Sequence, residues 1–181
     1  MELDRELFHL INSVYTFPFL DSFMTIITNE KLWVPFLFIG WLFMFFGMNG
    51  RKRELAVLVL ATVILSDLVS ARIMKKIVNR RRPCCVETDA RKLIGCKGSK
   101  SHPSSHAANT AAIAGAVIFE EGIIYGLPLL AVSFIVAYSR IYVGVHYPLD
   151  VIGGIALGLV IGWLAVKIKR RFHPPQSTTP Y

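Results

Sequence analysis

Long apolar runs at residues 32–48, 55–71, 123–139 and 149–168 limit this chain more than any other feature of its sequence. A helix crosses the hydrocarbon of a bilayer with about 17–25 residues. All of these runs reach that length. A further run, residues 106–119, is shorter and rich in Ala; it qualifies if 103–105 or the Glu120–Glu121 turn lies at an interface. Hydrophobic residues make up 54% of the chain and the mean hydropathy is +0.51. A soluble bundle of buried helices is the alternative, and the run lengths argue against it. The fold expected is all-α, a polytopic membrane helix bundle with about five transmembrane helices.

At 181 residues the chain suggests one domain. Within it, residues 1–31 are expected to form interfacial helices, 32–171 a transmembrane core and 172–181 a disordered tail. The first part contains two amphipathic pieces, Glu2–Val14 and Pro18–Thr28. Leu3, Leu7, Leu10 and Val14 share one helical face, with Glu2, Asp4 and Glu6 displayed elsewhere. Neither piece is long or apolar enough for a confident span, so an interfacial pair is expected. Glu2 and Asp4 stand where a secretory leader carries a basic region, so no signal peptide is expected. The 55–71 run is expected to continue as helix through Lys75 towards Arg82, ending before Pro83. Ala107, Ala108, Ala111, Ala112, Ala114, Gly115 and Ala116 leave little side-chain bulk, which marks the 106–119 helix as central. Gly154, Gly158 and Gly162 form a close-packing stripe on the last helix.

With five spans, alternate connections share a side of the membrane. That parity puts Lys75, Arg82, Ser104, His106, Arg140, His146 and Asp150 at one face. Arg51 to Arg53, Glu120, Glu121 and the basic C-terminal residues fall on the other. The formal net charge is +8. Ten of the 20 Lys and Arg lie between Arg72 and Lys100, between spans, which favours phosphate-bearing lipids over nucleic acid as the partner. The short basic segments at Arg51–Arg53 and Lys167–Arg171 read as cytoplasmic anchors. The opposite face then lies outside a bacterial inner membrane. The cysteines suit that side: Cys84 or Cys85 is placed to bridge Cys96 in an oxidising periplasm, leaving one thiol over. A metal site from Cys84, Cys85, Cys96 and His102 is the rival, with a spacing that matches no standard zinc pattern.

Three blocks on the shared face carry chemistry. Lys75 and Arg82–Pro83 are seven residues apart, about two helical turns, so both cations would point into one site; a juxtamembrane anchor explains them equally well. Pro103–Ser104–Ser105–His106 opens a helix, where free backbone N–H groups and the dipole favour an anion; a plain Ser N-cap is the bland reading. Finally, Ser139–Arg140, His146 and Asp150 occupy a break between two apolar runs. A His four residues before an Asp can have one ring nitrogen held by the carboxylate and the other free. Alone, that spacing is weak. Asp67, inside a span, is expected to find a structural partner.

Together and in this order the blocks resemble the signature of the type 2 phosphatidic acid phosphatase family, KxxxxxxRP, PSGH and SRxxxxxHxxxD, across Lys75 to Asp150. Ser105 stands where the pattern has Gly; it still offers a backbone N–H but crowds a phosphate more. The resemblance implies His146 as nucleophile forming a phosphohistidine, and Asp150 as the group holding its tautomer. It implies His106 as the acid that protonates the leaving oxygen and later activates water. Lys75, Arg82, Ser104, Ser105 and Arg140 would bind phosphate oxygens. The reaction implied is hydrolysis of a lipid phosphate or pyrophosphate, with no metal and no cofactor. Three cations and a helix N-terminus supply the charge that phosphoryl transfer needs.

Substrates implied are lipid A at its 1-phosphate, undecaprenyl pyrophosphate, phosphatidylglycerol phosphate and phosphatidic acid. Arg91, Lys92, Lys97 and Lys100 in the active-face loop lean towards a large polyanionic head group, lipid A or a polyprenyl pyrophosphate. Two other readings stand beside this one. A vanadium haloperoxidase shares the anion constellation, and the membrane spans argue against it. A non-catalytic protein that binds or transports anionic lipids would not require His106, His146 and Asp150 together. The oligomeric state is left open.

Overall fold

The computed structural model describes residues 2–48, 50–96, 98 and 100–173, and every regular element among them is a helix. The chain begins with α1 (Glu2–His9), continued by a π turn (Leu10–Val14), and α2 (Pro18–Thr28). These two meet at a bend of 116°. Next come α3 (Glu30–Phe46) and α4 (Gly50–Asp67), the latter prolonged by a π segment (Leu68–Met74) and the short α5 (Lys75–Val78). A single turn, α6 (Pro83–Val86), precedes α7 (Ser105–Glu121), α8 (Ile123–Tyr142) and α9 (Pro148–Phe172). Pro sits in the first turn of α2, α6 and α9. There its missing N–H costs nothing and its fixed φ suits the helix.

Three helical stretches are long and apolar enough to cross a membrane: Gly50–Val86, Ile123–Tyr142 and Pro148–Phe172. The bent α1–α2 pair makes a fourth if it counts as one broken span. At 17 residues each, α3 and α7 sit at the lower limit for a crossing. No residue of α3 is buried, and Phe36, Leu37, Phe38 and Ile39 all face outward. An apolar surface running round a whole helix has only lipid as a compatible solvent. The molecule is a polytopic membrane helix bundle.

The centre of the bundle is α7 packed against α9, with α4 and α8 on its other sides. The expected stripe of small residues makes this contact. A Cβ placed on Gly158 would lie 2.2 Å from the Ala108 carbonyl oxygen, and one on Gly162 would lie 2.7 Å from the Ala116 nitrogen. The two backbones touch because neither helix places bulk between them. At one end, Lys169 Nζ pairs with Glu54 at 3.1 Å and Glu120 at 2.5 Å, and Arg51 with Glu121 at 3.1 Å. Those ion pairs gather the α3–α4 turn, the α7–α8 turn and the end of α9. The other end carries the three sequence blocks.

Three expectations need correcting. The helix after α4 does not run on to Arg82: Asn79 adopts a left-handed conformation (φ 52°) and ends it. Arg82 is therefore reached through extended backbone and not by two helical turns. Asp4 is not displayed to solvent but is 4% exposed, while Leu3, Leu7, Leu10 and Val14 form the outward face of α1 and the turn after it. The start of the expected tail is also helical, since α9 extends through Phe172; residues 174–181 lie outside the described residues.

Gly158→Ala sets two effects against each other. Helix propensity gains up to about 1 kcal/mol, but the new methyl meets backbone that cannot rotate away, and overpacking of this kind costs about 1–3 kcal/mol. The methyl would lie 2.2 Å from a carbonyl oxygen, so the clash outweighs the gain and a net loss of up to about 2 kcal/mol is expected. Gly40→Ala on α3, with nothing within 4 Å of its Cβ, should instead gain stability. Denaturant unfolding in detergent micelles measures both.

Candidate active site

At the active face the ends of α5, α7, α8 and α9 meet under α1 and α2. The loop after α8 brings His146 down between the helices, where it is 1% exposed. Its Nε2 lies 3.1 Å from Arg82 Nη1. An arginine can only donate, so Nε2 must be the unprotonated nitrogen and Nδ1 must carry the hydrogen. Nδ1 faces Asp150 Oδ2 at 3.5 Å, an ion-pair separation longer than a formed hydrogen bond, and it has no hydrogen-bond partner. Burial pushes the His146 imidazole down to about 3, partly opposed by Asp150 and reinforced by Arg82 and Arg140. At neutral pH it is an uncharged imidazole whose unprotonated Nε2 accepts from Arg82, a donor that a phosphate oxygen would have to draw away before Nε2 could act.

Asp150 sits in the first turn of α9 with no exposure. Its Oδ2 accepts from the Tyr147 backbone N–H at 2.9 Å, and its carbonyl oxygen accepts from Ser104 N–H, also at 2.9 Å. The second contact fixes the start of α7 against the start of α9. On its other oxygen, Oδ1, Asp150 accepts from Arg80 Nη1 at 3.0 Å and faces His102 Nδ1 at 3.4 Å.

Beside His146 opens a cavity of about 680 Å³, whose lining includes Thr28, Glu30, Arg82, His106, Arg140 and Val145. Arg82 is 5% exposed and also donates to the Val145 carbonyl at 3.1 Å. Arg140 donates to the Thr28 hydroxyl, and its Nε is buried without a hydrogen-bond partner. Ser104 Oγ is likewise buried and unpartnered. Such orphans are rare in native interiors. Arg140 Nε, a donor, and Ser104 Oγ, which can donate, fit an anion that would complete their hydrogen bonds. His106, in the first turn of α7, has its Nε2 3.1 Å from Glu30 Oε2. The structure thus brings His146, Asp150, His106, Arg82, Arg140 and Ser104 to one place. Of these, Arg82, His106 and Arg140 line the cavity, and His146, Asp150 and Ser104 lie buried behind its wall; Lys75 Nζ donates to Ser105 Oγ at 3.0 Å, as does Ser70 Oγ at 3.1 Å.

Asp4, Glu30, Arg80 and His102 are functional neighbours that the sequence did not single out for this site. The Cys84–Cys96 pair is a disulfide with Cα atoms 6.0 Å apart, and Cys85 is the exposed thiol left over. His102 faces Asp150 and not the sulfurs, so the candidate metal set of three cysteines and His102 is not assembled. Asp67 accepts from Asn109 Nδ2 at 3.4 Å, the structural partner expected of it.

The PAP2 superfamily profile matches residues 55–174, which holds all three sequence blocks. The chain belongs to the PAP2 superfamily. A lipid A 4'-phosphatase of Porphyromonas gingivalis is 32% identical over 93% of this chain and 73% of its own length. Undecaprenyl-diphosphatase BcrC of Bacillus subtilis is 30% identical, covering 86% of this chain and 78% of its own. Among solved structures, Aquifex aeolicus LpxE superimposes with a TM-score of 0.75 at 28% identity, over 91% of this chain and 95% of that one. With curated phosphatases as its relatives, the chain is an enzyme, a phosphatase embedded in the membrane.

The depressed His146 pKa has a consequence for stability. An unfolded histidine takes up its proton near pH 6.5, whereas His146 in the folded protein does so only near pH 3. Between those values the unfolded state binds more protons, so this residue makes stability rise with pH by up to about 1.4 kcal/mol per unit. His146→Asn should flatten the stability profile between pH 3 and 6.5 and leave its slope above pH 7 unchanged, as read by unfolding midpoints across a pH series.

Proposed function

We propose that this site hydrolyses the phosphate or pyrophosphate of a membrane lipid, without a metal, through a phosphohistidine on His146. The observation that carries the reading is the buried, neutral His146, with Asp150 at one ring nitrogen and Arg82 at the other. In the first step the Nε2 lone pair attacks phosphorus, the P–O bond to the lipid breaks, and His106 gives its proton to the leaving oxygen. The positive charge that develops on the imidazole is balanced by Asp150 at Nδ1. In the second step His106 takes a proton from water as the water oxygen attacks phosphorus. The P–N bond breaks and inorganic phosphate leaves.

Of the cations that the motif implies, Arg82 and Arg140 line the cavity, with Lys31 also on its wall, and the two arginines would hold the equatorial oxygens together with Ser104 and the N–H groups at the start of α7. Lys75 would act from beside Ser105. Arginine forks match phosphate oxygens in pairs.

The relatives matching 93% and 86% of this chain are named lipid A 4'-phosphatase and undecaprenyl-diphosphatase, and a phosphatidylglycerophosphatase B at 30% identity stands beside them. A phosphate of lipid A, at either end, or undecaprenyl pyrophosphate is therefore the substrate class proposed. The Cys84–Cys96 disulfide suits an oxidising compartment. It supports an active face on the periplasmic side of an inner membrane.

The test is phosphate release by the full chain in detergent with chelator present. The panel is lipid A, undecaprenyl pyrophosphate, phosphatidylglycerol phosphate and phosphatidic acid, with products weighed by mass spectrometry. Turnover that survives the chelator and vanishes in His146→Ala, by about 10⁴-fold or more as for loss of other catalytic nucleophiles, is expected. Arg140→Ala should lower kcat by about 10²–10³-fold, as for loss of one donor to a transition-state charge. Full activity of His146→Ala would overturn the mechanism, and abolition by chelator would overturn its independence of metal.

A further inference from the structure

The N-terminal helix reaches the catalytic carboxylate. Arg80 lies in the extended segment between α5 and α6, where nothing in the sequence distinguishes it from the neighbouring cations. Its two terminal nitrogens are divided between two acids: Nη1 donates to Asp150 Oδ1 at 3.0 Å and Nη2 to Asp4 Oδ2 at 2.5 Å. Its guanidinium lies over the Tyr147 ring, 4.0 Å from the centroid. The other oxygen of Asp4 accepts from the Leu149 N–H at 2.9 Å, one of the open donors in the first turn of α9. Asp4 therefore holds the start of α9 directly, and holds Arg80 against the carboxylate that α9 carries.

We propose that Arg80, secured by Asp4, is a positioning residue for Asp150, which makes α1 a working part of the active site. This rests on the reading of His146 as nucleophile. Arg80 has both terminal nitrogens occupied by carboxylates, so it would act through Asp150 and not on substrate. What it does is engage Oδ1, so that Oδ2 stays turned towards His146 Nδ1, and place a fixed positive charge beside a fully buried negative one. Without it Oδ1 keeps only His102, and the direction of the carboxylate rests on the Tyr147 N–H at Oδ2 alone. A fork divided between two carboxylates fixes the direction of both, which a single ammonium cannot do. Asp4 keeps that fork in place from 4% exposure, while Phe8 of the same helix packs edge-on to Tyr147 at 5.4 Å between centroids.

A purely architectural role for this pair makes a different forecast. Pinning α1 would affect unfolding and leave turnover per folded molecule alone. Positioning predicts that Arg80→Gln lowers kcat by about 10²-fold, the scale of a misplaced catalytic group, with KM within about twofold. Asp4→Asn should lower kcat by about tenfold on the same grounds. The decisive measurement is the cycle with Asp150→Asn. In that background Arg80→Gln should cost less than about threefold, because a residue that acts through Asp150 has nothing left to position.

All variants are full-length protein in detergent, compared at equal folded concentration judged by size exclusion and unfolding midpoint. Arg80→Lys, expected to lose about tenfold because an ammonium cannot span both acids, carries the test should Arg80→Gln not fold. Unchanged kcat in Arg80→Gln, a raised KM at constant kcat, or the same loss with and without Asp150 would each overturn the proposal. His146→Ala runs alongside. If it is inactive while Arg80→Gln is fully active, only this inference falls; if it is active, the nucleophile assignment falls first.

Discussion

A carboxylate with no exposure at the first turn of a membrane helix has to be surrounded by donors, and Asp150 is that carboxylate. Leaving it short of partners would cost several kcal/mol, since a buried charge without compensation is among the largest single penalties a fold can carry. The donors come from separate parts of the chain. Arg80 arrives from the segment after α5, His102 from the loop before α7, and Tyr147 N–H from the turn into α9 itself. His146 completes the set from the loop after α8. To satisfy one side chain, the active-face connections must converge, and α1 is drawn in because Arg80 needs a second acid to occupy its other arm.

That convergence would be imprecise on a mobile support, and the support is the α7–α9 contact. Gly154, Gly158 and Gly162 let α9 lie on the backbone of α7 through the depth of the membrane. At its upper end the Ser104 N–H reaches the carbonyl of Asp150. The helix start that offers N–H groups to an anion and the helix start that carries the carboxylate are thus a single rigid unit. A change deep in the stripe would be felt at the site as a displacement of one half of the chemistry from the other, because packed helices shift as bodies and do not deform locally. Small residues that look purely structural therefore set the separation between Ser104 and Asp150, and with it that between the proposed phosphate ligands and the proposed nucleophile.

The parts that were legible in the sequence are those whose cause is local. Apolar runs gave the long helices, and amphipathic spacing gave Glu2–Val14 and Pro18–Thr28 with the bounds observed. The small-residue stripe named the central contact correctly. What was not legible depends on partners far away along the chain. Asp4 and Arg80 are 76 residues apart, and each alone looks like a solvated charge on a polar face. The break at Asn79 carries no Pro or Gly; its local signal is the Asn itself, which after Gly most readily takes the left-handed conformation that ends a helix. Cys84 and Cys85 are adjacent, so spacing could not choose between them. The one turn of α6 does, by sending Cys84 inward and Cys85 out.

Glu30 adds a constraint on how the site must work. It stands in the first turn of α3, where a carboxylate is favourable at the positive end of the helix dipole. It is the acid lining the cavity among the described residues, facing a wall that holds Arg82 and Arg140. Its Oε2 lies 3.1 Å from His106 Nε2, and on the proposed mechanism that nitrogen must instead reach the oxygen of the leaving lipid. The carboxylate therefore stands where, on that mechanism, the leaving oxygen would have to come. A side chain half exposed at the rim can give way where a buried one could not. An entering phosphate would then replace one anion with another, so that the cations lining the cavity are never left facing each other without a negative charge between them.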